Sequence, residues 1–261
     1  MPERVDIEKW CSKACFGFRL AVCFAAFALF CIFYIPIVPV LNICLFFHAE
    51  LFSHINRKAT QICFRLLILI SKFTGILSVH YCDSHKGEMS RILACNHISL
   101  LDVLLVIARY NDCFTFVNAK FFKNPLMRTI IRGSNYVVLD REGFYGKKES
   151  YEKAKSIIRR GGRMIIFPEG TRSIDGRLGH LEDGVFRMAA EIGTDITPIF
   201  VRSNRPFLNK TLSGFFCQGR VDFFLETLSP IRIDLKESLK VRARMAKLEF
   251  VERYEKWCIN G

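Results

Sequence analysis

Acidic residues are scarce against basic ones in this chain: 25 Asp and Glu face 38 Lys and Arg, for a formal charge of +13. The imbalance points to an anionic partner, whether nucleic acid, an acidic membrane surface or phosphorylated small molecules. No Cys-x-x-Cys pair occurs among the eleven cysteines (11, 15, 23, 31, 44, 63, 82, 95, 113, 217 and 258), which removes the usual zinc spacing. They read as reduced thiols, several of them filling apolar space in core or membrane. No internal repeat, low-complexity tract or Pro/Ser-rich linker divides the chain, and no nucleic-acid motif accompanies its charge. A hydrophobic content of 51% argues against disorder and is ample for a core.

Charge is also missing from Leu20 to Phe47, a run with Asn42 as its one strongly polar side chain. It exceeds the roughly 20 residues that a spanning helix needs, and it is too long for the apolar part of a signal peptide, about 7 to 15 residues. Both flanks are basic, with Arg4, Lys9, Lys13 and Arg19 before it and Arg57, Lys58 and Arg65 after it, so the positive-inside rule does not orient it. Two full spans do not fit. Pro36 and Pro39 either kink one span or bend the run into a re-entrant hairpin, and the two readings stand level. A second apolar stretch, Ile62 to Val79, carries Arg65 and Lys72 on one helical face, as an interfacial helix would; a buried helix of the globular part is the alternative. Residues 1–78 are therefore expected to form a membrane-anchoring helical region.

From residue 79 to 261 short β-branched or aromatic runs alternate with helical patterns. That texture predicts an α/β domain, a mixed and largely parallel sheet flanked by helices. Expected strands are Arg91 to Cys95, Cys113 to Val117, Tyr136 to Leu139, Met164 to Phe167 and Ile196 to Val201. Phe215 to Cys217 and Val221 to Leu225 read as a strand pair joined near Gly219. Tyr151, Ala154, Ile157 and Ile158 predict a helix within Lys147 to Arg160, ended by Gly161-Gly162, and Leu239 to Trp257 reads as a charged terminal helix.

Two strings roughly seventy residues apart carry the chemistry: Asn96-His97-Ile98-Ser99-Leu100-Leu101-Asp102 and Phe167-Pro168-Glu169-Gly170-Thr171-Arg172-Ser173. A strand ending at Cys95 delivers His97 to a turn, and Ser99 stands as an N-cap before an apolar run. Ser99-x-x-Asp102 fits a capping box, which explains the serine and the aspartate but not the histidine. Helix positions five apart lie about 140° apart, so His97 meets Asp102 only from the preceding turn. There Asp102 accepts from one ring nitrogen, and the other is free to take a proton from a substrate hydroxyl. A structural histidine beside a cap is the plainer alternative. In the second string, Gly170 permits a close approach to the backbone. Glu169, Thr171 and Arg172 bring carboxylate, hydroxyl and a phosphate-matching guanidinium to a strand end. The alternative there is a solvated turn.

Taken in order, the strings resemble the glycerolipid acyltransferase family, above all its 1-acylglycerol-3-phosphate (lysophosphatidic acid) acyltransferases, over about Arg91 to Arg202. The resemblance implies His97 as general base, oriented by Asp102, toward an acceptor hydroxyl that attacks a fatty acyl thioester; it implies no Ser99 nucleophile. Arg141, closing Tyr136-Val137-Val138-Leu139-Asp140-Arg141, would grip the acceptor phosphate with Lys120 near it. Glu169, Gly170, Thr171 and Arg172 would line the acceptor site, and Pro198, within Ile196 to Val201, the acyl-donor side. Asn135 stands where the family has glycine, with Gly133 two residues early, so the acceptor's identity is less determined than the chemistry.

No metal or bound cofactor is implied; acyl-CoA or an acyl-carrier-protein thioester is the co-substrate. Membrane lipids and a lysophospholipid are the other partners, and nucleic acid is not. The active site is expected on the cytoplasmic face of a bacterial inner membrane or an endoplasmic-reticulum-like membrane. Another lysolipid acceptor, such as lyso-ornithine lipid, is the first alternative, and a non-enzymatic basic membrane protein that binds lipid or nucleic acid is the remote one.

Overall fold

Short segments with nearly every side chain buried, Ile92–Cys95 (β2) and Arg163–Ile166 (β5), pair in parallel at the centre of a sheet, as strands covered on both faces do. The computed structural model describes residues 2–44, 48–85, 87–139, 148–209 and 219–260. Cys113–Asn118 (β3) and Val137–Leu139 (β4) extend the sheet on one side. Ile196–Ser203 (β6), Val221–Thr227 (β7) and Leu77–Asp83 (β1) extend it on the other, in the order β1-β7-β6-β2-β5-β3-β4. Five strands are mutually parallel, while β7 runs antiparallel to β6 and β1 follows β7. The fold is thus the expected mixed, largely parallel α/β sheet with helices around it.

Every expected strand from Arg91 to Val201 is present within a residue or two. The expected strand Phe215 to Cys217 lies outside the described residues; Val221 to Leu225 belongs to β7, whose partners are β6 and β1. β1 is a correction. Leu77 to Val79 belong to this edge strand and not to the preceding helix, and its later residues His80 to Asp83 are exposed and carry no alternation to read. The helix Lys148–Arg159 (α6) buries Tyr151, Ala154, Ile157 and Ile158 as their spacing predicts, and Leu239–Asn260 (α8) is the terminal helix. Pro198 sits inside β6, opposite Ala94. It is tolerated there because the β6–β7 ladder starts only at Ile199, so no pairing on that side needs its missing N–H.

The apolar N-terminal run is helical as far as Cys44. Pro2–Cys44 (α1) passes through Pro36 and Pro39 without ending, and Ala49–Phe73 (α2) packs beside it. Tyr34 Oη donates to Asn56 Oδ1 at 2.7 Å, and Cys23 Sγ lies 3.4 Å from Ser71 Oγ; these pairs set the two helices antiparallel. Phe16–Val38 has a mean hydropathy of 2.6 and is only 19% buried, and it is long and apolar enough to cross a membrane. α2 joins both expected roles. One face buries Asn56, Arg57, Thr60, Gln61 and Phe64 against the protein, while Leu51, Ile55, Ile62, Leu66, Leu69 and Phe73 stay exposed. Lys58, Arg65 and Lys72 recur every seventh residue, hence along one edge of that exposed strip. Such a surface suggests membrane association.

The two departures before Arg141 have separate physical causes. Asn135 adopts φ of +55°, the left-handed region that glycine enters freely and asparagine tolerates. Gly133, in the helix Pro125–Gly133 (α5), packs so tightly that a Cβ would stand 3.0 Å from Asn56 Oδ1 and 3.2 Å from Tyr34 Oη. Asn135→Ala is therefore expected to cost about 1 kcal/mol of stability and Asn135→Gly none. Denaturant unfolding of the purified protein measures both, and equal midpoints for the two variants would contradict the strain.

Candidate active site

Because β2 and β5 are parallel, with Ala94 opposite Ile166, the two strings leave the sheet side by side at its carboxyl edge. Open α/β sheets form their sites there. Asn96 prolongs the β2–β6 pairing with its side chain: Nδ2 donates to the Val201 carbonyl at 2.9 Å, and Oδ1 accepts from the Val201 amide at 2.7 Å. That bridge fixes the point from which His97 departs.

His97 Nδ1 lies 2.9 Å from Asp102 Oδ2. A carboxylate only accepts, so Nδ1 donates and Nε2 is left as the basic nitrogen. The same Oδ2 accepts the Ile98 and Ser99 amides at 2.7 and 2.8 Å, while Oδ1 has no partner. Asp102 is wholly buried and the His97 side chain is 15% exposed, so the pair is anchored at one end and open at the other. The Phe167 ring backs the imidazole at 4.1 Å between centroids. The capping box forms only in half. Asp102 reaches back to the Ser99 amide and begins the helix Asp102–Arg109 (α3), but Ser99 Oγ accepts from the Leu101 amide and donates to the Phe207 carbonyl at 2.7 Å. The serine is drawn away by the strand of chain crossing above it.

Glu169 grips the first string directly. Its Oε1 accepts the His97 amide at 2.8 Å and its Oε2 the Gly179 amide at 2.9 Å, in a side chain that is almost wholly buried. Arg172 Nη1 donates to the Leu208 and Asn209 carbonyls at 2.8 and 3.0 Å. Gly170 is needed for its φ of +64°, not for a close neighbour: a Cβ would meet only Glu182 Cγ, at 3.8 Å. Thr171 is exposed beside it. Lys120 is exposed in the short helix Ala119–Phe122 (α4) that follows β3, and Arg141 lies outside the described residues, two positions beyond the end of β4. Pro198 is buried in the sheet. Among the described residues no three His, Cys, Asp or Glu side chains converge as a metal site requires. Asn96, Phe167 and the Glu169–His97 bond were not assigned from sequence. All four residues lie in the two strings, but these contacts depend on strand neighbours that spacing does not reveal.

Burial pushes the Asp102 carboxyl above its ordinary value of 3.8, against the lowering effect of His97 and the Ser99 and Ile98 amides. Burial likewise raises Glu169 above 4.5, against the Gly179 and His97 amides. A carboxyl raised on folding favours the protonated fold, so what it contributes to stability is present at low pH and declines as pH rises through the folded value. Acidification therefore neutralises both groups without weakening the fold through them. Any activity that depends on this pair should be lost reversibly at a pH above the ordinary carboxylate range, while near-ultraviolet circular dichroism is unchanged. Loss of both signals together would contradict this.

Residues 78–202 match the family model described as Acyltransferase. The chain is 27% identical over 137 residues to the chloroplastic 1-acyl-sn-glycerol-3-phosphate acyltransferase of Arabidopsis thaliana, covering 52% of this chain and 38% of that protein. It is 25% identical over 172 residues to a putative 1-acyl-sn-glycerol-3-phosphate acyltransferase of Caenorhabditis elegans, covering 65% and 61%. The chain thus spans between about a third and two thirds of these relatives' lengths. The crystal structure of the 1-acyl-sn-glycerophosphate acyltransferase of Thermotoga maritima shares the fold, with a TM-score of 0.58 at 18% identity over 91% of this chain and 97% of that one. Both strings and the strands that deliver them lie inside the matched segment, so the likeness to the acyltransferase family rests on residues 78–202.

Proposed function

We propose that the protein is a membrane-bound O-acyltransferase that moves a fatty acyl group from a thioester to the free hydroxyl of a lysophospholipid, with 1-acylglycerol 3-phosphate as acceptor and phosphatidic acid as product. The observation that carries this is the His97–Asp102 pair, 2.9 Å apart, buried at Asp102 and open at His97. Nε2 takes the proton of the acceptor hydroxyl as its oxygen attacks the thioester carbonyl carbon. The carbon–sulfur bond then breaks, and the leaving thiolate receives the proton from the imidazolium, which restores the base. Orientation and cationic stabilisation supply the rest, since a thioester is already activated.

Arg141 and Lys120 are assigned to the acceptor phosphate. Both follow the carboxyl ends of strands on the β5 side of the sheet, the edge that carries His97. Arg172 contributes its remaining guanidinium nitrogens while Nη1 holds the loop, and Gly170, Thr171 and Glu169 complete that wall. Pro198 shapes the donor side through β6. Residues 1–78 anchor the enzyme so that acyl chains stay in lipid while polar groups react, with the site on the cytoplasmic face. The basic strip on α2 and the +13 charge support that side, since the cytoplasmic leaflet is anionic.

The test is an acceptor panel with purified, membrane-extracted protein, following release of the donor's thiol. Lysophosphatidic acid should react fastest. A protein that acylates another lysolipid but not this one would overturn the acceptor assignment, and inertness toward every acceptor would overturn the enzymatic reading.

A further inference from the structure

The helices α4 and α5 carry positive charge that no acid near them balances. Between Asp112 and Asp140 the chain has Lys120, Lys123, Arg128 and Arg132 and not one Asp or Glu. Elsewhere exposed cations are paired, as Arg160 is with Glu50 and Arg232 with Asp195, but among the described residues none of these four forms an ion pair. Arg128 and Arg132 are both exposed and stand one turn apart on α5, a spacing at which like charges repel. They nevertheless gather at one ring. Their guanidinium carbons lie 5.6 and 5.0 Å from the centre of Phe122, and Arg128 Nε donates to the Phe122 carbonyl at 3.0 Å. Two guanidinium forks held together with no acid between them suit a phosphate, which relieves their repulsion.

What adjoins the cations selects the partner. Phe121 beside them is 46% exposed. Ile130, about 160° around α5 from each arginine, is buried against Tyr34 and Val38 of α1 and Phe52 of α2. Next to those three in the chain stand Ile37 and Val40 on α1 and Leu51 and Ile55 on α2, all exposed. The cations therefore rim the apolar surface of the two helices. A nucleic acid would leave those side chains in water, whereas a bilayer buries them and brings its headgroups to the rim. We infer that Lys123, Arg128 and Arg132 form a docking surface for the phosphates of anionic membrane lipids that are not the substrate, with Phe121 entering the leaflet beside them. Lys120 stays with the acceptor. Because α4 follows the carboxyl end of β3, this contact also turns the sheet edge that carries His97 toward the bilayer.

The test is a lipid titration of the full chain, immobilised in a neutral detergent, with mixed micelles that contain labelled phosphatidylglycerol or labelled phosphatidylcholine. Phosphatidylglycerol should bind more tightly, and added salt should narrow the gap. Each cation at an anionic lipid surface is worth about fivefold, so R128Q/R132Q should weaken phosphatidylglycerol binding about tenfold or more and leave phosphatidylcholine within twofold. R128K/R132K keeps the charge and should keep the affinity within threefold. Equal affinity for the two lipids, or an R128Q/R132Q protein that binds phosphatidylglycerol like the unsubstituted one, would overturn the inference. So would an equal loss in R128K/R132K, which would make the effect one of packing at Phe122, or retention of an RNA that phosphatidylglycerol does not displace. At fixed micelle composition, the KM for a water-soluble short-chain lysophosphatidic acid should stay within twofold in R128Q/R132Q; a larger rise would place the arginines on the acceptor instead. If the unsubstituted protein transfers no acyl group, the functional reading fails, and the titration still decides whether the surface holds anionic lipid.

Discussion

His97→Ala should lower the acyl-transfer rate by about 10²- to 10⁴-fold, the usual contribution of a positioned general base. The acceptor hydroxyl is a poor nucleophile until its proton leaves, and Nε2 is poised for that because Asp102 and Phe167 hold the ring from the other side. Asp102 acts through the histidine, so the His97→Ala, Asp102→Ala double variant should be no slower than His97→Ala alone. The fold should survive the single change, since the imidazole sits at the rim and its departure leaves Oδ2 with two amide donors. Single-turnover rates with matched circular dichroism spectra test this. A loss under about threefold would remove His97 from the chemistry, and a double variant far slower than the single one would give Asp102 a separate role.

Phe200→Ala should destabilise the protein by about 3 to 5 kcal/mol, a large part of the roughly 5 to 15 kcal/mol that holds a domain together. Phe200 projects from β6 with no exposed surface, and the rings of Phe250, Tyr254 and Trp257 surround it at 5.3, 5.2 and 5.4 Å between centroids. All three neighbours are on α8, so this one side chain seats the terminal helix on the sheet, and alanine leaves a void that the surrounding rings close only in part. Denaturant unfolding in detergent gives the value. A cost below about 1 kcal/mol would mean that α8 repacks.

The sheet and the pairing of its chemistry were largely legible beforehand. Ile92–Cys95 and Ile196–Ser203 are runs of β-branched and apolar residues bounded by polar turns, and such runs announce buried strands. β1 was not legible, because an edge strand with four exposed residues has no apolar period to find. The helical course of α1 through two prolines was hidden for a related reason: its contacts with α2 at Tyr34 and Cys23 join residues 22 and 48 positions apart. Local propensity speaks against that helix, and only its neighbour reveals what holds it beside the domain.

Taken by itself, the order of residues determined that a histidine and an aspartate would meet across a turn, that the chain would be basic, and that its first third would be apolar. Those are properties of composition and short spacing, which act within a few residues. The tertiary structure decided what each remaining group does. Glu169 became a clamp on the His97 amide, Arg172 a brace for Leu208 and Asn209, Asn96 an extension of the sheet, and Trp257 a wall facing Arg202. Each of these depends on which strand lies beside which: β5 against β2, and α8 against β6. Hydrogen bonds and ring contacts reach only a few ångströms, so partners dozens of residues apart acquire their roles only when the sheet brings them together.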